Sequence, residues 1–119
     1  GVDISEYALA NAKQEIGSNL VLGNACHLPF EDNEFDTVVT LGTLHNLPLD
    51  QLYNAIKEVN RVSRGKRNYI VVESWRNEKE RVNMLFWQLT CEAFFSVETW
   101  EWIFSKLKYN GDWDFIFFE

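Results

Sequence analysis

Four polar residues of this sequence each follow a short run rich in apolar residues, and each could do chemistry there. They are Asp3, Asn24, His45 and Glu73. Apolar runs of this kind predict buried strands, and in open α/β sheets ligands bind beyond the carboxyl ends of the strands. The pattern therefore indicates a binding edge to which several segments of the chain contribute.

Asp3 has the chemistry of a ribose-binding residue. An ionised carboxylate is an acceptor only, so it can accept hydrogen bonds from both hydroxyls of a ribose. Asp3 also stands just before a predicted helix, where an aspartate commonly caps the first turn. From the residues alone, both interpretations stay open.

His45 is the candidate for a general base, because the ordinary pKa of histidine lies near neutrality. It follows Leu41 and Gly42, and the glycine lets the main chain approach a ligand closely. The alternative is that His45 orders its own loop by hydrogen bonding to its neighbours. His27, the other histidine, is expected to be solvated.

The elements that must position these residues follow from hydrophobic periodicity. Apolar residues at helical spacing predict helices, and continuous apolar runs bounded by glycine, proline or asparagine predict strands. The predicted helices are Ser5–Ile16, Leu49–Asn60, Val82–Ala93 and Val97–Leu107, and the predicted strands are Leu20–Leu22, Phe35–Leu41, Asn68–Glu73 and Asp112–Glu119.

This order of elements predicts an α/β fold. Long connections between apolar strands favour a twisted, mostly parallel sheet with helices on both faces. Asn110-Gly111 is a tight-turn dipeptide before the aromatic segment Asp112–Glu119. We therefore expect the last strand to be antiparallel to the others.

Two motifs carry a resemblance to a known family. The first begins with Gly23-Asn24-Ala25 and continues through Leu28-Pro29-Phe30 to Phe35-Asp36. The second is Glu58-Val59-Asn60-Arg61-Val62 at the end of a helix. In this order the motifs resemble the class I S-adenosylmethionine-dependent methyltransferases of the small-molecule branch, which have a Rossmann-like fold.

The resemblance implies roles for the nucleoside end of the cofactor S-adenosylmethionine. Asp3 would hold the ribose and Ile4 would pack on the adenine face. Asn24 stands where the family usually has Asp, so its neutral amide oxygen would make a weaker bond to the adenine amino group. The backbone amide of Ala25 would donate to a ring nitrogen.

The resemblance also implies where methyl transfer takes place. Leu41 and Gly42 would pass beneath the methionine end of the cofactor. Glu73, Trp75 and Trp87 would face the methyl acceptor, a small molecule with an oxygen, nitrogen or carbon nucleophile. An aromatic wall can attract the sulfonium charge, although aromatic residues at helical spacing are more often core than pocket.

The sequence begins with Gly1 rather than methionine, which we interpret as a start inside a strand. The family's first strand and its glycine-rich loop would then lie outside this chain. We expect two neighbouring strands with exposed edges and weak cofactor binding by the isolated chain. Within a partial methyltransferase domain, 1–76 would bind the cofactor, 77–107 would form the acceptor side and 108–119 the terminal strand.

Composition narrows the partners. The net charge of −7 argues against nucleic acid and anionic membranes, and the longest apolar runs are far shorter than a membrane span. Cys26 and Cys91 match no metal-ligand spacing, so we expect no metal and two reduced thiols in a cytoplasmic protein. Nothing in the sequence indicates an oligomeric state.

Two other functions stay open. Asn24 in place of Asp also suits a non-catalytic methyltransferase-like domain that serves as an interaction surface. An acid at the position of Asp3 occurs in nicotinamide-dependent dehydrogenases as well. The segment Leu28-Pro29-Phe30 and the terminal aromatic strand favour the methyltransferase over the dehydrogenase.

Overall fold

The computed structural model describes residues 1–65 and 67–119 of the chain. It contains five strands, five α-helices and one 3₁₀ turn, Leu44–Asn46, within those residues. The strands are β1 (Val2–Asp3), β2 (Val21–Leu22), β3 (Val39–Leu41), β4 (Asn68–Glu73) and β5 (Gly111–Ile116). The helices are α1 (Glu6–Ala10), α2 (Gln14–Gly17), α3 (Leu49–Val62), α4 (Glu78–Trp87) and α5 (Val97–Lys106).

The strands form two separate parallel sheets. In the smaller sheet β1 pairs with β2, with Val2 opposite Val21. In the larger sheet the order is β3-β4-β5, with Val39 opposite Tyr69 and Asn68 opposite Gly111. The α/β architecture with parallel pairing confirms the predicted fold class.

The predicted antiparallel direction of the last strand is wrong, because β5 pairs parallel with β4 over its whole length. The chain leaves β4 at Glu73 and passes through α4 and α5 before β5 begins at Gly111. A crossover of this length returns the chain to the starting end of the sheet, as parallel pairing requires. Asn110-Gly111 follows a helix rather than a strand, so it cannot close a hairpin.

Gly111 lies where no larger residue fits. A Cβ at this position would collide with the backbone carbonyl of Asn68 and with the Tyr109 hydroxyl. Asn68 also donates through Nδ2 to the carbonyl of Asn110 and accepts at Oδ1 from the amide of Val38. These bonds fix the start of β5 beside β4.

Several boundaries differ from the prediction. The single helix expected over Ser5–Ile16 is two short helices, α1 and α2, and neither has a buried residue. The strand expected from Phe35 has its ladder only at Val39–Leu41, with an isolated bridge between Phe35 and Ser63. α4 ends at Trp87 rather than at Ala93.

The helices α3 and α5 match their predictions closely, because both have strong local signals. α3 places Leu52, Ala55 and Ile56 on one buried face. α5 starts at the N-cap Ser96, whose Oγ accepts from the Thr99 amide. Such a cap satisfies one of the free amides of the first turn.

The core lies between the larger sheet and these two helices. Ile70 and Val72 of β4 are buried in one cluster with Ile56, Trp100 and Phe104. The rings of Trp100 and Phe104 stack with centroids 5.7 Å apart. This packing holds the carboxyl end of β4 in a fixed position.

A cleft of about 350 Å³ separates the two sheets. Its walls include Gly1 and Val2 on one side and Thr37 through Leu41 on the other. Val38 and Gly42 bond to β4, so the alternation of a parallel strand turns the peptide groups of Val39 and Leu41 towards the cleft. The sequence predicted two strands with exposed edges, and no hydrogen bond joins the two sheets within residues 1–65 and 67–119.

None of the helices in the described part of the chain is long and apolar enough to cross a membrane.

Candidate functional site

Asp3 and the pair Asn24–Ala25 lie side by side at the carboxyl ends of β1 and β2. Asp3 stands opposite Leu22 in the parallel register, and the Gly23 amide donates to the Asp3 carbonyl at 2.9 Å. The chain continues directly from Gly23 into Asn24–Ala25. The adjacency on which the predicted nucleoside site depends is therefore present.

The Asp3 side chain has one engaged oxygen. Oδ1 accepts from the Ser5 amide at 2.8 Å, and Ser5 itself caps α1 through Oγ and the Ala8 amide. Asp3 thus supports the turn into α1, while its exposed carboxylate still offers Oδ2 to a ligand. The two interpretations of Asp3 do not exclude each other.

Asn24 departs from the role that the resemblance implied. Its Oδ1 accepts from the Cys26 amide at 2.8 Å, so the amide oxygen closes the local turn. The second lone pair of that oxygen is the one left for an outside donor. Ile4 extends into solvent beside this turn, with 72% of its surface exposed, as a residue stacking on a flat ring would require.

The loop that follows Ala25 is fastened to α3 by Arg61 and Glu58. The Arg61 guanidinium donates to the carbonyls of Leu28 at 3.1 Å and Phe30 at 2.9 Å. Glu58 accepts from the Leu28 amide at 2.7 Å and from Arg61 Nε at 2.6 Å. These two residues explain the Glu-x-x-Arg spacing seen in the sequence, because an i, i+3 pair on one helix face can bind a loop from both sides.

The second half of the edge begins at Leu41 and Gly42. Gly42 has φ +66°, a conformation that side chains larger than hydrogen rarely adopt. Its amide donates to the Val71 carbonyl at 3.0 Å, and its carbonyl accepts from Asn46 Nδ2. Leu41 lines the cleft between the sheets.

His45 is buried and fully engaged with its surroundings. Its Nδ1 accepts from the Glu73 amide at 3.3 Å, and its carbonyl accepts from the amides of Glu92 and Ala93, each at 2.9 Å. Burial lowers the pKa of the imidazole. An acceptor Nδ1 requires the neutral ring with its proton on Nε2.

Glu73 is the residue that faces His45, and sequence reasoning did not pair the two. The Oε2 atom of Glu73 lies 3.5 Å from His45 Nε2, and the Glu73 side chain is 15% exposed. Oε2 has no hydrogen-bond partner in the described part of the chain. Burial raises the pKa of this carboxyl group, whereas an ion pair would have lowered it.

Trp75 and Trp87, predicted together, are placed differently. Trp75 has a buried Nε1 that lacks a hydrogen-bond partner in the residues described. Its ring packs near Phe94, with centroids 6.5 Å apart. Trp87 stands at the end of α4 with 74% of its surface exposed, so it does not form a closed wall with Trp75.

Known sequences match the amino-terminal part of this chain. A family described as "Methyltransferase domain" matches residues 1–69. Demethylmenaquinone methyltransferase of Staphylococcus aureus (strain JH9) is 47% identical over 66 residues, which are 52% of this chain and 27% of that protein. The chain thus spans about a quarter of the length of the curated relatives it matches.

Solved structures match most of the chain. The YcgJ protein from Bacillus subtilis has a TM-score of 0.71 at 24% identity over 90% of this chain and 50% of that one. A SAM-dependent methyltransferase from Thermotoga maritima has a TM-score of 0.62 at 25% identity, covering 90% of this chain and 53% of that one. The agreement extends beyond residue 69, so the fold assignment includes α4, α5 and β5.

Proposed function

The chain belongs to the methyltransferase-domain family, and from this premise we propose that it serves methyl transfer from S-adenosylmethionine to a small-molecule acceptor. The observation that carries the proposal is the adjacency of Asp3 and Ala25 at the ends of two paired parallel strands. Two hydrogen-bonding groups at this distance suit a nucleoside, which presents ribose hydroxyls and ring nitrogens close together.

The residues at the edge fit the nucleoside part of the cofactor. Asp3 Oδ2 can accept from the ribose, Ile4 can cover the adenine ring and the Ala25 amide can donate to a ring nitrogen. Asn24 contributes mainly through its turn, since its amide oxygen is bonded to the Cys26 amide. Leu41 and the Gly42 main chain would lie against the methionine part.

The cofactor supplies a methyl group on a positively charged sulfur, and the chain has to align it with the acceptor. Holding the reactants together in line contributes several kcal/mol to such a transfer. The Arg61–Glu58 fastening keeps the Ala25 loop in place, and the bonds of His45 keep the Gly42 turn against β4. Both contacts serve alignment rather than bond breaking.

Glu73 and Trp75 are the residues proposed to meet the acceptor. Each has a buried polar atom without a partner in the described residues. An acceptor with both a donor and an acceptor group would satisfy the two atoms at once. The Staphylococcus aureus relatives are named for demethylmenaquinone, which supports a small molecule rather than a nucleic acid or a protein as the acceptor.

The test is a transfer assay on the protein carrying this chain with whatever residues its gene encodes on either side. It is incubated with methyl-labelled S-adenosylmethionine and a panel of phenols, amines and quinols. We expect label in one acceptor class, and Asp3→Asn should raise the KM for the cofactor about tenfold or more through loss of a charged acceptor. Glu15→Gln, an exposed acid on α2, is the matched control and should not change KM.

Two results would reject the proposal. Failure to bind S-adenosylmethionine or its demethylated product would favour the interaction domain that lacks catalysis. Preferential binding of a nicotinamide dinucleotide would favour the dehydrogenase.

A further inference from the structure

The main chain of Glu73 is held on both sides. Its amide donates to His45 Nδ1 at 3.3 Å, and its carbonyl accepts from Trp100 Nε1 at 3.2 Å. Trp100 is fully buried in the core. The Glu73 side chain therefore leaves the sheet from one of the most firmly fixed points of the molecule.

His45 is not suited to take a proton itself. Its Nδ1 lone pair is used by the Glu73 amide, so protonation there would place two donors against each other. Its Nε2 already carries the hydrogen in this tautomer and points towards Glu73 Oε2, 3.5 Å away. His45 can orient the carboxylate, but it has no free basic atom.

Glu73 has the free basic atom that His45 lacks. Oε2 is without a partner in the described part of the chain, and burial raises the pKa of the carboxyl group. The site adjoins the Gly42 turn, since a Cβ at Gly42 would lie 4.0 Å from the His45 ring. The turn and the carboxylate thus share one corner at the carboxyl ends of β3 and β4.

We propose that Glu73 is the proton acceptor of the transfer reaction and that His45 is its positioning residue. The inference rests on the proposed function. The acceptor would be a hydroxyl or amine compound whose X–H group bonds to the Glu73 carboxylate. As the X–CH₃ bond forms, the bond between methyl carbon and sulfur breaks and its electron pair stays on sulfur. The X–H proton passes to Glu73, and the positive charge of the sulfonium is lost.

The neighbouring titratable groups are compatible with this role. The Cys91 thiol lies close enough to Glu73 to be affected by its charge, and burial raises the pKa of that thiol to about 11. It therefore stays protonated at neutral pH. Glu92, from the same segment, and His45, from the 3₁₀ turn, are the other titratable groups around this corner. His45 is neutral there, so it does not hold Glu73 in an ion pair.

The decisive experiment compares three variants in the protein used for the transfer assay. Glu73→Gln keeps the shape but removes the basic oxygen, and kcat should fall about 100-fold or more, with the KM for the cofactor unchanged. His45→Asn keeps an acceptor near the position of Nδ1 but loses the ring, so kcat should fall less. Glu101→Gln, an exposed acid on α5, should match the wild type.

The pH profile separates the two roles. If Glu73 takes the proton, the acidic limb of kcat is present in the wild type and in His45→Asn, and it is absent in Glu73→Gln. An acidic limb that disappears in His45→Asn and persists in Glu73→Gln would assign the base to His45 and overturn the proposal. So would an unchanged kcat in Glu73→Gln.

A measurement without cofactor or acceptor checks the geometry independently. Nitrogen-15 NMR of the histidine rings in the 119-residue chain should show His45 with its proton on Nε2 at neutral pH. A proton on Nδ1 would overturn the arrangement even if methyl transfer is established. Absence of transfer in the wild type with every acceptor would instead reject the proposed function itself.

Discussion

The amino-terminal and carboxyl-terminal regions of this chain differ in how firmly they are packed. In the region from Gly1 to Ala25 no residue is buried. In the region from Leu44 onwards, α3, β4 and α5 bury one continuous cluster. The proposed nucleoside edge stands on the first region, and Glu73 stands on the second.

This difference separates two tasks of the site. The nucleoside residues depend on short-range turns, such as Asp3 to Ser5 and Asn24 to Cys26. The acceptor residues depend on long-range core contacts, such as Trp100 to Glu73. Stability is not uniform across a protein, and weakly packed segments open first. We therefore expect disturbances to reach the nucleoside edge before they reach Glu73.

The largest expected effect is on stability, in a matched pair of substitutions. Ile56→Ala removes a fully buried side chain, whereas Ile16→Ala removes one that is 50% exposed. Ile56→Ala should lower the free energy of unfolding by about 2–5 kcal/mol, and Ile16→Ala by less than about 0.5 kcal/mol. Urea denaturation measures both.

Should Ile56→Ala fail to fold, Ile56→Val replaces it, with an expected loss of about 0.5–1.5 kcal/mol. Equal losses at positions 16 and 56 would show that the two regions are packed alike and would end the comparison.

A smaller effect is expected from pH, and it belongs to the packed region alone. Burial lowers the pKa of His45, so the unfolded chain binds a proton more readily than the folded one. The stability is fully present above the ordinary histidine pKa of about 6.5 and is lost as the pH falls towards the lowered folded value. The slope cannot exceed about 1.4 kcal/mol per pH unit for one proton.

Denaturation at several pH values, compared between wild type and His45→Asn, isolates this contribution. Glu73 contributes with the opposite sign, because burial raises its pKa and the folded state loses stability as the pH rises from the ordinary glutamate value. A wild type and a His45→Asn variant that respond identically between pH 5 and pH 7 would contradict the buried neutral histidine.

The elements that sequence reasoning placed correctly are those whose local and tertiary signals agree. α3 has a strong apolar stripe, β4 is continuously apolar in the middle, and α5 has a serine cap. The predicted bounds of β4 were those of the structure. In such segments the pattern that forms the element is the same pattern that buries it.

The errors arose where a local signal lacked its tertiary partner. The helix expected over Ser5–Ile16 divides because its apolar positions, including Ile16, have no core to pack against. The direction of β5 was misjudged because Asn110-Gly111 was interpreted without regard to what precedes it. The contact between His45 and Glu73 joins residues that are 28 positions apart, and no spacing rule could have indicated it.

The central claim is that Asp3, Ile4 and Ala25 together bind the nucleoside of S-adenosylmethionine. The most direct test is an amide NMR titration of the 119-residue chain with the demethylated cofactor at millimolar concentration, which detects weak binding. The account predicts shift changes at these residues and at Gly42, with α5 unaffected. Shift changes spread evenly over the chain, or confined to residues away from the ends of β1 and β2, would contradict it.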